Sequence, residues 1–401
     1  MKIINIIVKG LSLFIIINII FAVWQPKMGQ FSAYNAIFPG RERLPFGENS
    51  AKAYNLSLFD LDAMFASHAI NSEQKQDNEF RVLLIGDSSV WGTLLKPEET
   101  LAGQLNSANI LTCGKDVRVY NIGYPTISLT KDVLLLSQTM KYQPDLIIWL
   151  TTLEAFPMEK QVASPIVANN RETLDSLQSR YGLEFDPNDP AFVQQNSWDK
   201  TIIGQQRALA DIIRLQFYGV MWAATGVDQT YPTDYTPAQT DFEADGKFHE
   251  SEPPLLDKKS LAINALETGV RVAGDKPMMI VNEPMLISSG KNSDIRYNFF
   301  YPRWAYDQYR DMMAELSQKN QWNYIDLWNI VPANEFTNSA IHLTPAGENI
   351  LAKKLAPVIE TMCKYLLICV IARAFLLLEA ISISVLEIAS PPRASARLAM
   401  T

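Results

Sequence analysis

The sequence predicts an α/β protein with a parallel sheet covered by helices on both faces. A long helical insertion is expected after the third strand, and an N-terminal transmembrane helix before the sheet. Three observations carry this reading. From Arg81 onward, short and almost continuous apolar runs alternate with helical patterns, as strands buried on both faces do. About a hundred residues without a clear strand then break that rhythm, a length usual for a lid or binding element. Finally, Ile3 to Trp24 is nearly all apolar, close to the roughly 20 residues a helix needs to cross a bilayer.

With 401 residues the chain can bury a real core and has room for more than one domain. The net charge of −8 gives no basic face of the kind nucleic acid requires, so no nucleic-acid partner is expected. Cys113, Cys363 and Cys369 form no zinc spacing and no Cys-x-x-Cys pair, and with an odd count a disulfide-stapled fold is not expected. Nothing in the sequence implies a metal or a cofactor. Only His68, His249 and His342 are available as bases or ligands.

Residues 1–24 read as the anchor. Lys9 lies near its start and Trp24 at its far end, where interfacial tryptophans sit. The exit Ala-Val-Trp-Gln-Pro offers no small-residue cleavage site, which favours an anchor over a signal peptide. Lys2 and Lys9 place the amino terminus inside, with Lys27, Arg41 and Arg43 opposing; the globular part is expected outside the cytoplasm. Residues 25–80, polar with scattered aromatics, read as a connector packing on the main domain. His68 has no partner at ligand spacing and reads as structural or surface.

The α/β domain is expected over residues 81–362. Strand one is Arg81–Ile85 and runs into Gly86-Asp87-Ser88-Ser89. Pro97-Glu98-Glu99 opens a helix, with proline and acids in its first turn. Strand two is Val117–Ile122. Thr130 is the expected cap of the next helix. Strand three is Asp145–Leu150. The insertion spans about residues 151–260, with helical stretches near Arg171–Arg180 and Lys200–Ala223. Strand four is Pro277–Asn282, a helix follows at Trp304–Lys319, and strand five is Asn323–Trp328. Thr344-Pro345 starts a last helix through Leu351 and Leu355. Residues 363–401 form an apolar tail broken by Arg373 and Glu379, a candidate second membrane segment.

Two residues carry the chemistry. A serine hydroxyl needs a base to take its proton, and histidine is the usual one. Ser88 follows strand one and His342 follows strand five, both at carboxyl ends of strands, where open α/β sheets bind ligands. Donors for an oxyanion are also needed; the Ser88 amide and Gly123, just past strand two, are candidates. Ser128-Leu129-Thr130-Lys131 matches Ser-x-x-Lys but lacks the companion motifs, so it reads as a helix start. Asp241 to Glu252, with His249 among its acids, reads as a solvated loop because no ligand spacing fits. The turn after strand one lacks a glycine-rich phosphate loop, which weighs against a nucleotide-binding protein.

Together these residues resemble the SGNH (GDSL-like) hydrolases. The resemblance lies in Gly86-Asp87-Ser88-Ser89 with Gly92, in Asn121-Ile122-Gly123, and in Ile341-His342-Leu343-Thr344-Pro345-Ala346-Gly347 before a terminal helix. It implies a flavodoxin-like three-layer fold and ester hydrolysis or acyl transfer, with Ser88 as nucleophile, His342 as base, and the Ser88 and Gly123 amides as oxyanion donors. Two positions depart from the family's pattern. Leu153 stands where an oxyanion-donating asparagine is expected, leaving Thr152 or Thr151 as candidate donors. Ser339 stands where an aspartate would orient the histidine; Asn338, Asp326 or Glu283 are the candidates to replace it. The implied activity is that of a membrane-anchored serine esterase or acyltransferase acting on an acylated small molecule, cell-surface glycan or lipid. The alternative is a catalytically degenerate domain that binds carbohydrate or scaffolds a membrane partner.

Overall fold

Seven residues, Glu79–Ile85, form β1, and every one of them is buried. Such a strand must be covered on both faces. In the computed structural model, which describes residues 2–46, 59–226 and 234–363, β1 lies between two parallel neighbours. The sheet adds β2 (Leu111–Thr112), β3 (Lys115–Asn121), β4 (Leu146–Thr151), β5 (Met278–Asn282) and β6 (Asn323–Asp326). Its order is β2-β3-β1-β4-β5-β6. Only β2 is antiparallel, forming a hairpin with β3. It is too short to leave a hydrophobic pattern, which is why the sequence did not announce it. The sheet is therefore mixed, an α/β architecture whose five longer strands start and stop within a few residues of expectation.

The pleat sends alternate residues to two separate cores. Leu83 and Ile85 join Ile147 and Trp149 on one face. Val82 and Leu84 join Ile148 and Leu150 on the other. The chain leaves β1 to form β3 on one side and then returns to form β4 on the other. That reversal opens a crevice at the carboxyl end of β1, and Ser88 sits there.

The helices used below are α1 (Lys2–Trp24), α2 (Ser88–Trp91), α3 (Leu101–Ser107), α4 (Leu129–Thr139), α5 (Arg171–Tyr181), α6 (Gln206–Thr225), α7 (Ile263–Ala273), α8 (Arg303–Asn320) and α9 (345–363). α1 is long and apolar enough to cross a membrane. Pro97–Glu99 is only a 3-10 turn, and α3 begins after it with Thr100 as its cap. The cap of α4 is Ser128, not Thr130: Ser128 Oγ accepts from the Lys131 amide, while the Thr130 hydroxyl turns to Gln161 Oε1 at 3.0 Å. Between β4 and β5 lie α5, α6 and then α7, a helix not anticipated before strand four. Its buried face mixes the small Ala265, Gly269 and Ala273 with Leu266 and Val272. Gly269 is required by contact: a Cβ there would come within 2.1 Å of the Trp149 ring.

Cys113, in the β2–β3 turn, is disulfide-bonded to Cys363 at the end of α9, with Cα atoms 5.1 Å apart. This single bridge was not anticipated from the sequence. The partners are 250 positions apart, and no spacing rule reaches that far. The candidate second membrane segment at the C-terminus lies outside the described residues.

Candidate active site

The turn after β1 is shaped by its own side chains. Asp87 Oδ1 accepts from the Ser89 amide at 2.8 Å and so caps α2. Gly92 ends that four-residue helix at φ +85°, in the left-handed region that glycine tolerates. Ser88 thus occupies the first helical position, where the amide has no intrahelical acceptor.

His342 reaches this turn from a short loop after β6. Phe336 pairs with Leu343, and the His342 carbonyl accepts from the Thr337 amide at 2.8 Å, which fixes the loop. The ring then bridges two side chains. His342 Nε2 is 2.7 Å from Ser88 Oγ, and Nδ1 is 2.7 Å from Asn338 Oδ1. A carbonyl oxygen only accepts, so Nδ1 carries the proton and Nε2 presents a lone pair to the serine hydroxyl. Burial lowers the His342 pKa to about 4. The imidazole is therefore neutral at neutral pH, the form a general base needs.

The other candidates fall elsewhere. Asp326, on β6, accepts from Asn282 Nδ2 at 2.9 Å and from Arg310 at 2.8 Å, and it makes no hydrogen bond to His342. Ser339 makes no hydrogen bond to the ring among the described residues. Glu283 meets the hydroxyl of Ser89 instead of His342. The Gly123 amide donates to Asn121 Oδ1 at 3.0 Å, so in this arrangement it is already engaged. The lack of a side chain at Gly123 serves packing, since a Cβ would lie 2.4 Å from the Trp91 amide nitrogen. Thr152 is fully buried, its hydroxyl 2.8 Å from Tyr301 Oη. The Thr151 hydroxyl is buried without a partner.

Beneath the turn lies an ionic floor that sequence reasoning missed. Lys131 is fully buried; its Nζ donates to the Gly86 carbonyl at 2.7 Å and to Asp132 Oδ1. Asp132 also accepts from Trp149 Nε1 at 3.0 Å. Burial raises the Asp87 carboxyl, while the charge of Lys131 opposes the rise. Burial likewise raises Asp132 to about 6 and Glu348 to about 8. Glu283 is held well above the usual carboxylate range by burial and then by the charge of Asp87. The sequence of α4 did not mark Lys131: six of its eleven residues are polar, yet nine of the eleven are buried, and a lysine so buried must be paired.

The residues ahead of the α/β domain hold the back of the turn. The Arg43 guanidinium is fully buried over the Trp91 ring, 4.3 Å from its centroid, and donates to the Gly92 and Leu95 carbonyls. His68 is also buried, with Nε2 2.9 Å from the Asn121 carbonyl. The acidic loop is solvated as expected, with Asp241, Glu243, Asp245, Glu250 and Glu252 exposed, while buried Phe248 anchors it and His249 bridges Glu154 Oε2 at 3.0 Å and Glu159 Oε1 at 2.8 Å. Those partners raise the His249 pKa, the Glu154 hydrogen bond most. Among the described residues, no cluster of three or more such side chains is arranged to hold a metal.

No protein-family model matches the chain, and no curated protein matches it. Among solved structures, it is similar to a carbohydrate acetylesterase family member from Sinorhizobium meliloti, with 13% identity, a TM-score of 0.32, and coverage of 71% of this chain and 99% of that one. It is also similar to the aryl esterase of M. smegmatis in its inhibitor-bound form, at 13% identity and a TM-score of 0.32, covering 70% of this chain and 98% of that one. Likeness at this level assigns nothing to individual residues.

Proposed function

We propose that this chain is a serine esterase or acyl hydrolase of SGNH type, held at a membrane by α1. The observation that carries the reading is the hydrogen-bonded series Ser88 Oγ, His342, Asn338 Oδ1, with both links at 2.7 Å. Nucleophile, base and orienting group follow one another in the sense that activates a hydroxyl. Ser88 Oγ attacks the acyl carbon while its proton passes to His342 Nε2. The oxyanion faces the Ser88 amide. Collapse of the tetrahedral intermediate expels the alkoxide, which takes the proton from Nε2 and leaves an acyl-serine. Water, or an acceptor alcohol in a transferase, then attacks with the same base assisting.

Asn338 supplies orientation without charge. It sets the tautomer, as an aspartate would, but offers no anion to the imidazolium that forms. We infer a flavodoxin-like three-layer scaffold, with the residues between β4 and α7 as an insertion that shapes the acyl pocket. The Cys113–Cys363 disulfide supports an oxidising compartment, and so a globular part outside the cytoplasm. A substrate there would be an acylated surface glycan or lipid.

One observation favours the second reading, a domain that binds acylated glycan without turning it over. The Gly123 amide is engaged by Asn121 and the Thr152 hydroxyl by Tyr301, so the oxyanion meets fewer donors. Turnover of p-nitrophenyl acetate decides between them. Ser88→Ala is expected to lower kcat by about a thousandfold or more, and a fluorophosphonate is expected to add its mass to wild type and not to the variant. Unlabelled, folded wild type favours the binding reading; a fully active Ser88→Ala sinks the assignment of Ser88.

A further inference from the structure

α6 is a 20-residue helix with two unlike sides. One side is docked. Gln216 Oε1 accepts from the Ala33 amide at 2.5 Å, and Trp222 and Ala223 pack on buried Tyr34. The other side carries Ile213, Phe217 and Met221 at helical spacing of four, exposed by 63%, 74% and 54%. Tyr218, next to Phe217, is also exposed, as is Trp198 eight residues before the helix. A run of large apolar side chains left open in this way marks a surface that meets something.

Where that surface lies identifies the partner. The segment leading into α6 is hydrogen-bonded to α1 at two levels. The Ile203 amide donates to Asn18 Oδ1 at 3.3 Å, and Gln25 Nε2 donates to the Lys200 carbonyl at 3.0 Å. Asn18 is inside the apolar stretch and is itself buried by this contact. Six helical residues separate Asn18 from Trp24, about 9 Å along the axis. If Trp24 marks the water boundary of the span, the Ile203 segment lies at the depth of about 5–10 Å at which interfacial helices bury their apolar faces. The aromatic content of the patch suits that zone, and Arg207 on α6 offers a charge for headgroup phosphates, while Arg214 is paired with Asp211 at 3.2 Å.

We infer that α6 and the turn before it rest in the headgroup boundary of the same bilayer that α1 enters, so that the domain is seated on the lipid surface and not merely tethered above it. This inference rests on reading α1 as a membrane span. The occupant of the apolar face is lipid, and a second copy of the chain is the rival the test must expose.

The test uses the full chain reconstituted into vesicles of phosphatidylcholine and phosphatidylglycerol. A benzophenone amino acid is placed singly at Phe217, at Phe14 within α1, and at Leu255, which is exposed far along the chain from α6. After irradiation, adducts are identified by mass. The expected result is lipid adduct at positions 14 and 217, each about tenfold above position 255. Lipid adduct at 14 with none at 217 overturns the seating while leaving the anchor standing. No lipid adduct at 14 removes the anchor and the inference together. A chain-to-chain adduct at 217 in place of lipid overturns it in favour of an interface between copies.

Discussion

The floor under Ser88 and the rim that carries His342 are built by different means. The floor is fully buried and ionic. It assembles the Lys131–Asp132 ion pair with the buried carboxyls of Asp87 and Glu283, both raised by burial, from two strand ends and a helix. The rim is a neutral chain at the edge of the protein, made by one short loop in which Asn338 and His342 are four residues apart. Carboxylates gather beneath Ser88 and are absent behind His342. The contrast teaches a division of labour. Charge is spent on fixing the strand-to-helix turn, while the proton-handling end is tuned by burial and tautomer alone.

The most forceful way to break this contrast is Lys131→Met. It removes one of two donors from the Gly86 carbonyl, which keeps the Tyr124 amide at 3.1 Å, and leaves Asp132 without its cation. Losing one partner of a buried pair costs about 3–5 kcal/mol, so the midpoint of chemical denaturation is expected to fall steeply. A loss below about 1 kcal/mol, the scale of a surface pair, would mean that the floor is not ionic in the sense described.

At the rim, Asn338→Ala should lower kcat about tenfold to a hundredfold with little change in stability, because the ring loses its tautomer-setting acceptor. Asn338→Asp sharpens the test. A carboxylate beside Nδ1 favours the charged ring, so the acid limb of the pH profile should move upward. In wild type that limb is expected near pH 4, since His342 is protonated, and useless as a base, only as pH falls through about 4. A wild-type limb near 6.5 would show that burial does not set the base.

A further effect depends on pH and concerns Glu348. Its folded pKa of about 8 lies above the ordinary carboxylate value of about 4.3. Between these values the unfolded chain releases a proton that the folded chain keeps, so stability falls as pH rises, by about 1.4 kcal/mol per pH unit in the middle of the window. Glu348→Gln should flatten the decline of the thermal midpoint between pH 5 and pH 8. An unchanged slope would place the titration elsewhere in the floor.

The rim was largely legible in the sequence. A serine on a strand-to-helix turn and a histidine before a capped helix are local patterns, and Asn338 stood close enough to His342 to be weighed. The five long strands were legible for the same reason. The floor was not. Lys131 meets Gly86 across 45 positions and Ser89 meets Glu283 across 194, and neither pairing has a local signature. The role expected of Gly123 was altered by Asn121, whose side chain turns back two residues to take its amide. α7 was missed although Leu266 and Val272 share its buried face with the small residues, and the disulfide because its cysteines meet only once the fold is complete.

That disulfide has a mechanical side. α9 begins three residues after His342, beside the crevice, and ends at Cys363, beside the turn that opens β3. Its 19 residues are about 28 Å long, slightly more than the roughly 23 Å of a seven-residue strand. The helix is a strut running the height of the sheet, with His342 hinged at one end and a covalent rivet at the other. Thr112 Oγ donates to the Glu360 carbonyl beside the rivet at 3.2 Å. Reduction of one S–S bond at the foot of the sheet therefore loosens the member from whose head His342 is aimed.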